Sequence, residues 1–208
     1  MIAIIDYKAG NLTSVKLAFN ALGIDSVITD SPEKILSADR VVFPGVGAAA
    51  SSMQKLHSLN LIEAIRTVAD NGTPFLGICL GTQIILEHSE ENNGTKGIGL
   101  ITGNVIKFSP ADPLNKVPQM GWNSVSQTKS HPVFNGIEND SEFYFVHSYY
   151  PVPTDFDNII GTTDYAGFSF SSVLGRKNII ATQFHPEKSG RIGLKLLENF
   201  CSWNPTEK

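Results

Sequence analysis

The feature that most limits how this chain can fold is an alternation over residues 1–90. Short apolar or β-branched runs at 2–5, 26–29, 40–43 and 75–78 are separated by stretches whose apolar residues recur at helical spacing. The 2–5 run, Ile2-Ala3-Ile4-Ile5, is continuous and suits a strand buried on both faces. After it, Val15, Ala18, Phe19 and Leu22 share a helical face, with Gly23 as a C′ residue. Ser31-Pro32 signals a helix start with proline in the first turn. A helical stretch runs from Ala48 to about His57, and another follows Asn60, which has capping-box spacing to Glu63. Leu61, Ile65 and Val68 form the stripe of that second stretch, and Asn71-Gly72 ends it. Pro44-Gly45-Val46-Gly47 is read as stopping the third strand. Strands alternating with helices predict an α/β fold with an open, mainly parallel central sheet flanked by helices.

The second half changes character. Residues 87–97 read as a polar loop, followed by β-like pieces at 103–108, 122–126, 142–149, 158–163, 168–174 and 179–184. Gly175-Arg176-Lys177-Asn178 is a hairpin turn, and 191–203 is an amphipathic helix through Ile192, Leu196, Leu197 and Phe200. The sheet is therefore expected to gain antiparallel strands late. No linker interrupts the chain, so residues 1–208 are read as one domain. Net charge is −4 with no basic run, which argues against nucleic-acid binding. No window reaches membrane-spanning length, and the N-terminus lacks a basic signal region. The two cysteines make neither a disulfide framework nor a metal spacing, which fits a reducing, cytoplasmic setting. No cofactor is called for.

The chemistry centres on Gly77-Ile78-Cys79-Leu80-Gly81. An apolar strand ends at a cysteine flanked by glycines, and a helical pattern with Ile84, Ile85 and His88 follows. That is the spelling of a nucleophile elbow with cysteine in the serine position. A thiol there would sit at a helix N-terminus, where thiolate is favoured. Taken alone, Cys79 reads equally well as a small buried hydrophobe. A base and an orienter are available in His185-Pro186-Glu187. Proline pushes His185 toward extended backbone, and residues i and i+2 of extended chain project to one side, bringing Glu187 to His185. A strand-end turn with a solvated glutamate reads as well from this segment alone. Gly45, Val46 and Gly47, after the third strand, could supply backbone oxyanion donors facing Cys79, or form a plain turn. His57, His88 and His131 are expected on the surface. His147 lies on one face of the aromatic segment with Phe143, Phe145 and Tyr149, and is expected to be a hydrogen-bonded core histidine. Histidines and acids show no metal-ligand spacing.

Together these blocks resemble the class I glutamine amidotransferases over nearly the whole chain. Within them they are most similar to the glutaminase subunits of imidazole glycerol phosphate synthases. The likeness is carried by Ile4-Ile5-Asp6-Tyr7 with Gly10-Asn11-Leu12, Pro44–Gly47, the cysteine block, Lys96-Gly97-Ile98-Gly99-Leu100, and Pro118-Gln119-Met120-Gly121-Trp122-Asn123. Tyr144-Phe145-Val146-His147-Ser148-Tyr149 and Gln183-Phe184-His185-Pro186-Glu187-Lys188-Ser189-Gly190 complete it. The resemblance implies that Cys79 attacks the glutamine side-chain amide, with His185 as base and Glu187 orienting it. It implies backbone oxyanion donors near Val46–Gly47 and at Leu80, and substrate contacts from Gln83, Glu91, Ser148 and Tyr149. It implies docking on a (β/α)8-barrel cyclase subunit through Asn11, Gln119, Met120, Trp122, Tyr144 and Lys188. Ammonia would pass into that barrel to make imidazole glycerol phosphate and AICAR in histidine biosynthesis. An anthranilate-type or pyridoxal-phosphate synthase is the alternative acceptor. Thr82 stands where such proteins often carry methionine, and Gln119 where some carry histidine.

Overall fold

The computed structural model describes residues 1–8 and 12–205. In chain order the strands are β1 (Ile2–Ile5), β2 (Ser26–Thr29), β3 (Arg40–Gly45), β4 (Phe75–Cys79), β5 (His88–Ser89), β6 (Thr95–Lys96) and β7 (Gly103–Lys107). They continue with β8 (Gln119–Gln127), β9 (Ser141–His147), β10 (Tyr149–Pro153), β11 (Ile159–Tyr165), β12 (Phe168–Arg176) and β13 (Ile179–Thr182). The helices are α1 (Leu12–Ala21), α2 (Pro32–Leu36), α3 (Ala49–Ser58), α4 (Leu61–Asp70), α5 (Leu80–Ile84) and α6 (Gly190–Ser202).

The large sheet has the order β2-β1-β3-β4-β13-β12-β11-β8-β9. From β2 to β13 the pairings are parallel, and from β13 to β9 they are antiparallel. A smaller sheet has the order β10-β7-β5-β6. Strand periodicity divides the apolar residues between two cores. Ala3, Ile5, Val41, Phe43 and Phe75 pack under α2, α3 and α4. Ile2, Ile4, Val42, Leu76 and Ile78 pack with Val15 and Phe19 of α1 and Leu196, Leu197 and Phe200 of α6.

Several local expectations hold for stated reasons. Gly23 (φ 70°) and Gly72 (φ 80°) close α1 and α4 in Schellman geometry: Ile24 N–H bonds the Phe19 carbonyl and Thr73 N–H the Val68 carbonyl. The Ser31 side chain caps α2 through Lys34 N–H, with Pro32 in the first turn. Lys177-Asn178 turns the chain from β12 to β13.

Other expectations need correction. Pro44 does not stop β3, which runs on to Gly45 beside β4. The β1 ladder has ended at Val42, so the missing proline N–H leaves no partner unmet on that side. Asn60 does not cap α4 with its side chain; it sits in left-handed backbone (φ 54°). Residues 87–97 contain β5 and β6 rather than loop alone. The aromatic segment breaks at Ser148 into β9 and β10, so Phe143, Phe145 and His147 are buried while Tyr149 is only half-buried and Tyr150 goes inward.

Candidate active site

β3 and β4 end side by side, with Gly45 level with Cys79. Cys79 closes β4 and opens α5 with φ 54° and ψ −109°, a backbone geometry L-residues rarely adopt. The two flanking glycines serve differently. A Cβ on Gly81 would lie 1.9 Å from the Phe43 carbonyl oxygen, so only glycine lets α5 start against β3. A Cβ on Gly77 would meet nothing closer than Ala181 at 3.1 Å. Thr82 donates its hydroxyl to the Thr182 carbonyl (2.6 Å), tying α5 to β13. The helix is shorter than its apolar pattern predicts: it stops at Ile84, and His88 belongs to β5. A single turn leaves little macrodipole behind the thiol.

His185 follows β13, its N–H bonded to the Tyr144 carbonyl and its carbonyl accepting from the Ser189 hydroxyl. Its Nδ1 lies 2.8 Å from Glu187 Oε1, and both side chains are buried. The contact arises from a 3-10 turn at Pro186–Lys188, not from extended chain, because proline's fixed φ suits the first position of a helical turn. Burial alone would lower the His185 pKa. The charge of Cys79 and its contact with the ring, then Glu187, outweigh burial and push it up to about 10. Nε2 nevertheless closes no hydrogen bond of normal geometry among the described residues. The electrostatic coupling to sulfur is present while the proton path is still loose, as is usual before substrate binds.

Cys79 and His185 line one cavity of about 310 Å³, together with Val46, Gly47, Leu80, Gln83, Glu91, Pro118, Val146, His147, Ser148 and Tyr149. That volume is the size of a small-molecule site. Gly45 sits just behind it, where a Cβ would strike the Tyr7 hydroxyl at 2.4 Å. Gly47 has φ 94°. Glu91 Oε2 accepts from Ala49 N–H (2.7 Å) and so caps α3, which has no side-chain cap of its own. Gln83 uses its amide NH2 within the protein, donating to the Tyr149 carbonyl (2.8 Å) and to Gln183 Oε1 (3.0 Å).

His147 is a core histidine, as expected, with Nδ1 2.7 Å from the Tyr149 carbonyl and Nε2 2.9 Å from the Gln119 side-chain amide. Burial pushes its pKa down to about 4, so the ring is neutral and donates once, to the acceptor-only carbonyl. Gln119 must then turn its NH2 toward Nε2. Gln119 is only 2% exposed, which removes its side chain from the outer face expected of it; the register opposite His147 turns it inward. Met120, Trp122 and Lys188 are exposed and Tyr144 half-buried, with Trp122 and Tyr144 in edge contact. Asn11 lies outside the described residues. Of the expected surface histidines, His57 and His88 are exposed, but His131 packs on Trp203 and burial lowers its pKa to about 4.

Sequence reasoning gave no role to Gln183. It is fully buried, and its Nε2 lies 3.8 Å from Cys79 Sγ. Burial obliges its amide to find partners, but nothing near it in the chain identifies them. Among the described residues no three His, Cys, Asp or Glu side chains are grouped to hold a metal.

Residues 3–202 match the family described as glutamine amidotransferase class-I. The chain is 52% identical over 200 residues to the imidazole glycerol phosphate synthase subunit HisH of Methanocaldococcus jannaschii, covering 96% of this chain and 98% of that one. It is 49% identical over 200 residues to the subunit of the same name from Dehalococcoides mccartyi, covering 96% of each. Among solved structures, PurLQS from Thermotoga maritima superposes with a TM-score of 0.72 at 17% identity, over 97% of both chains. The glutaminase domain of CTPS from Trypanosoma brucei gives 0.65 at 16% identity, over 97% of this chain and 93% of that one. These two share the fold.

Proposed function

This chain belongs to the glutamine amidotransferase class-I family, and we propose that within it the chain is the glutaminase subunit of an imidazole glycerol phosphate synthase. The whole chain, 1–208, acts as one glutaminase domain. Cys79 Sγ attacks the side-chain amide carbon of glutamine, and the amide C–N bond breaks. His185 carries the thiol proton to the leaving nitrogen, releasing ammonia and leaving a γ-glutamyl thioester. Water, deprotonated by His185, then releases glutamate. Glu187 keeps the imidazole ring oriented and offsets its charge. Backbone N–H groups at Val46, Gly47 and Leu80 face the oxyanion.

Gln83 has committed its NH2, so it offers only Oε1 to the substrate. That oxygen and the second oxygen of Glu91 suit the α-ammonium group, which can only donate. Ser148 and Tyr149 hold the carboxylate end. The ammonia passes to a (β/α)8-barrel cyclase subunit docked over Met120, Trp122, Tyr144 and Lys188 beside the cavity, in the cytoplasm. Exposed tryptophan and methionine suit such a face.

The observation that carries the reading is the His185–Glu187 pair at 2.8 Å opening on the cavity that holds Cys79. Glutamine hydrolysis by the purified chain, alone and with the cyclase subunit, tests it. Turnover should rise on adding the cyclase and disappear in Cys79→Ala. Equal turnover in Cys79→Ala would refute the assignment.

A further inference from the structure

Cys79 Sγ sits between two polar atoms, each at 3.8 Å: the carbonyl oxygen of half-buried Val146 and Nε2 of buried Gln183. The identity of the second atom follows from the chain of amides behind it. The Tyr149 carbonyl can only accept, so Gln83 must present its NH2 there. The remaining N–H of that NH2 points to Gln183, which must therefore present its oxygen to Gln83. Its own NH2 is left facing sulfur. The polarity of the chain Tyr149 → Gln83 → Gln183 → Cys79 is thus fixed by one backbone carbonyl.

We propose that Gln183 is a positioning residue for the nucleophile: its amide N–H holds the Cys79 thiolate, while the Val146 carbonyl holds the protonated thiol. The inference rests on Cys79 being the reactive thiol. A donor on the charged form favours that form, and its effect grows when both groups are dry. Gln183 is fully buried and Cys79 6% exposed. The donor matters here because α5 is a single turn and contributes little dipole. The same chain links the nucleophile to the substrate wall, since Tyr149 and Gln83 line the cavity. The titratable groups around the sulfur are His185 and, behind it, Glu187 from the segment after β13, His147 at the end of β9, Tyr7 after β1, and Glu91 across the cavity. None of them is coupled to the Gln183 amide by a hydrogen bond among the described residues, so removing that amide leaves their pairings in place.

The test is the pH dependence of Cys79 alkylation by iodoacetamide in the full-length chain, read by mass spectrometry of the Cys79 peptide. Gln183→Met keeps the volume and removes the donor. Its profile should move about one pH unit upward, with alkylation about tenfold slower at a given pH on the rising limb of the profile. Gln183→Glu, which turns an acceptor on the sulfur, should slow it further. Profiles superimposable on the unsubstituted protein in folded variants would overturn the proposal. Should the variants fail to fold, the side-chain amide resonance of Gln183 in the unsubstituted protein decides. It should shift when Cys79 is alkylated, and an unmoved resonance would overturn the proposal. Neither readout needs glutamine turnover, so a chain that fails as a glutaminase and a failure of this inference are distinguishable.

Discussion

At the scale of single residues, the two buried histidines of the cavity are set to opposite charge states. His185 is pushed up to about 10 against the pull of burial, by Cys79 first and Glu187 next. His147 is pushed down to about 4 by burial first, and the neighbouring charge of His185 adds to that. NMR titration should show His185 charged and His147 neutral across pH 6–8. In Cys79→Ala the His185 transition should move down, because its largest upward influence is gone; an unchanged transition would contradict the coupling. Glu187→Gln keeps the shape of the pair and removes its charge. It should cost about 10²-fold or more in kcat with little change in KM. The grouping of Cys79, His185 and Glu187 was legible in the sequence because each stands in a local pattern with its own geometry. Gln183 was not, because its partners Cys79 and Gln83 are about a hundred positions away. Glu91 was legible only through resemblance. Its structural job, capping α3 across 42 positions, leaves no local trace.

At the scale of elements, the turn between β4 and α5 is held open by close approach rather than by flexibility. Gly81→Ala would drive a methyl into the Phe43 carbonyl, parting α5 from β3, and should cost at least the ~1–3 kcal/mol usual for overpacking. Gly77→Ala meets only contacts of 3.1–3.3 Å and should cost ~1 kcal/mol or less. Urea unfolding of the two variants measures the difference; equal losses would contradict this account of the elbow. The parallel strands were readable because buried runs between helices have a strong period. The small sheet was not. β5 and β6 have two residues each, too few to show any period, and one partner of β7, β10, is far along the chain. The single Ser148 bend that separates β9 from β10 also reversed the inward face beyond what alternation predicts.

At the scale of the whole molecule, the pH dependence of stability follows from the same histidines. His185 titrates higher in the fold than its ordinary 6.5, so its contribution is complete below about pH 6.5 and declines as pH rises toward 10. His147 and His131 titrate lower, so theirs is complete above about pH 6.5 and declines as pH falls toward 4. Urea midpoints between pH 4.5 and 9 should therefore peak near pH 6–7. A midpoint that climbs steadily across the range would contradict the assignment. The sheet also places the cavity beside an exposed aromatic face, the arrangement that the proposed delivery of ammonia to a partner needs. Its parallel half ends in the elbow, and its antiparallel half carries Met120 and Trp122 on the outer face next to Pro118 and Val146 of the cavity wall. In the proposed reaction Cys79 opens glutamine through a covalent intermediate. Acid quenching of the complex with the cyclase subunit during turnover, followed by mass spectrometry, tests it most directly. The account predicts a γ-glutamyl adduct on the Cys79 peptide that is absent from Cys79→Ala; glutamate release with that peptide unmodified throughout would contradict it.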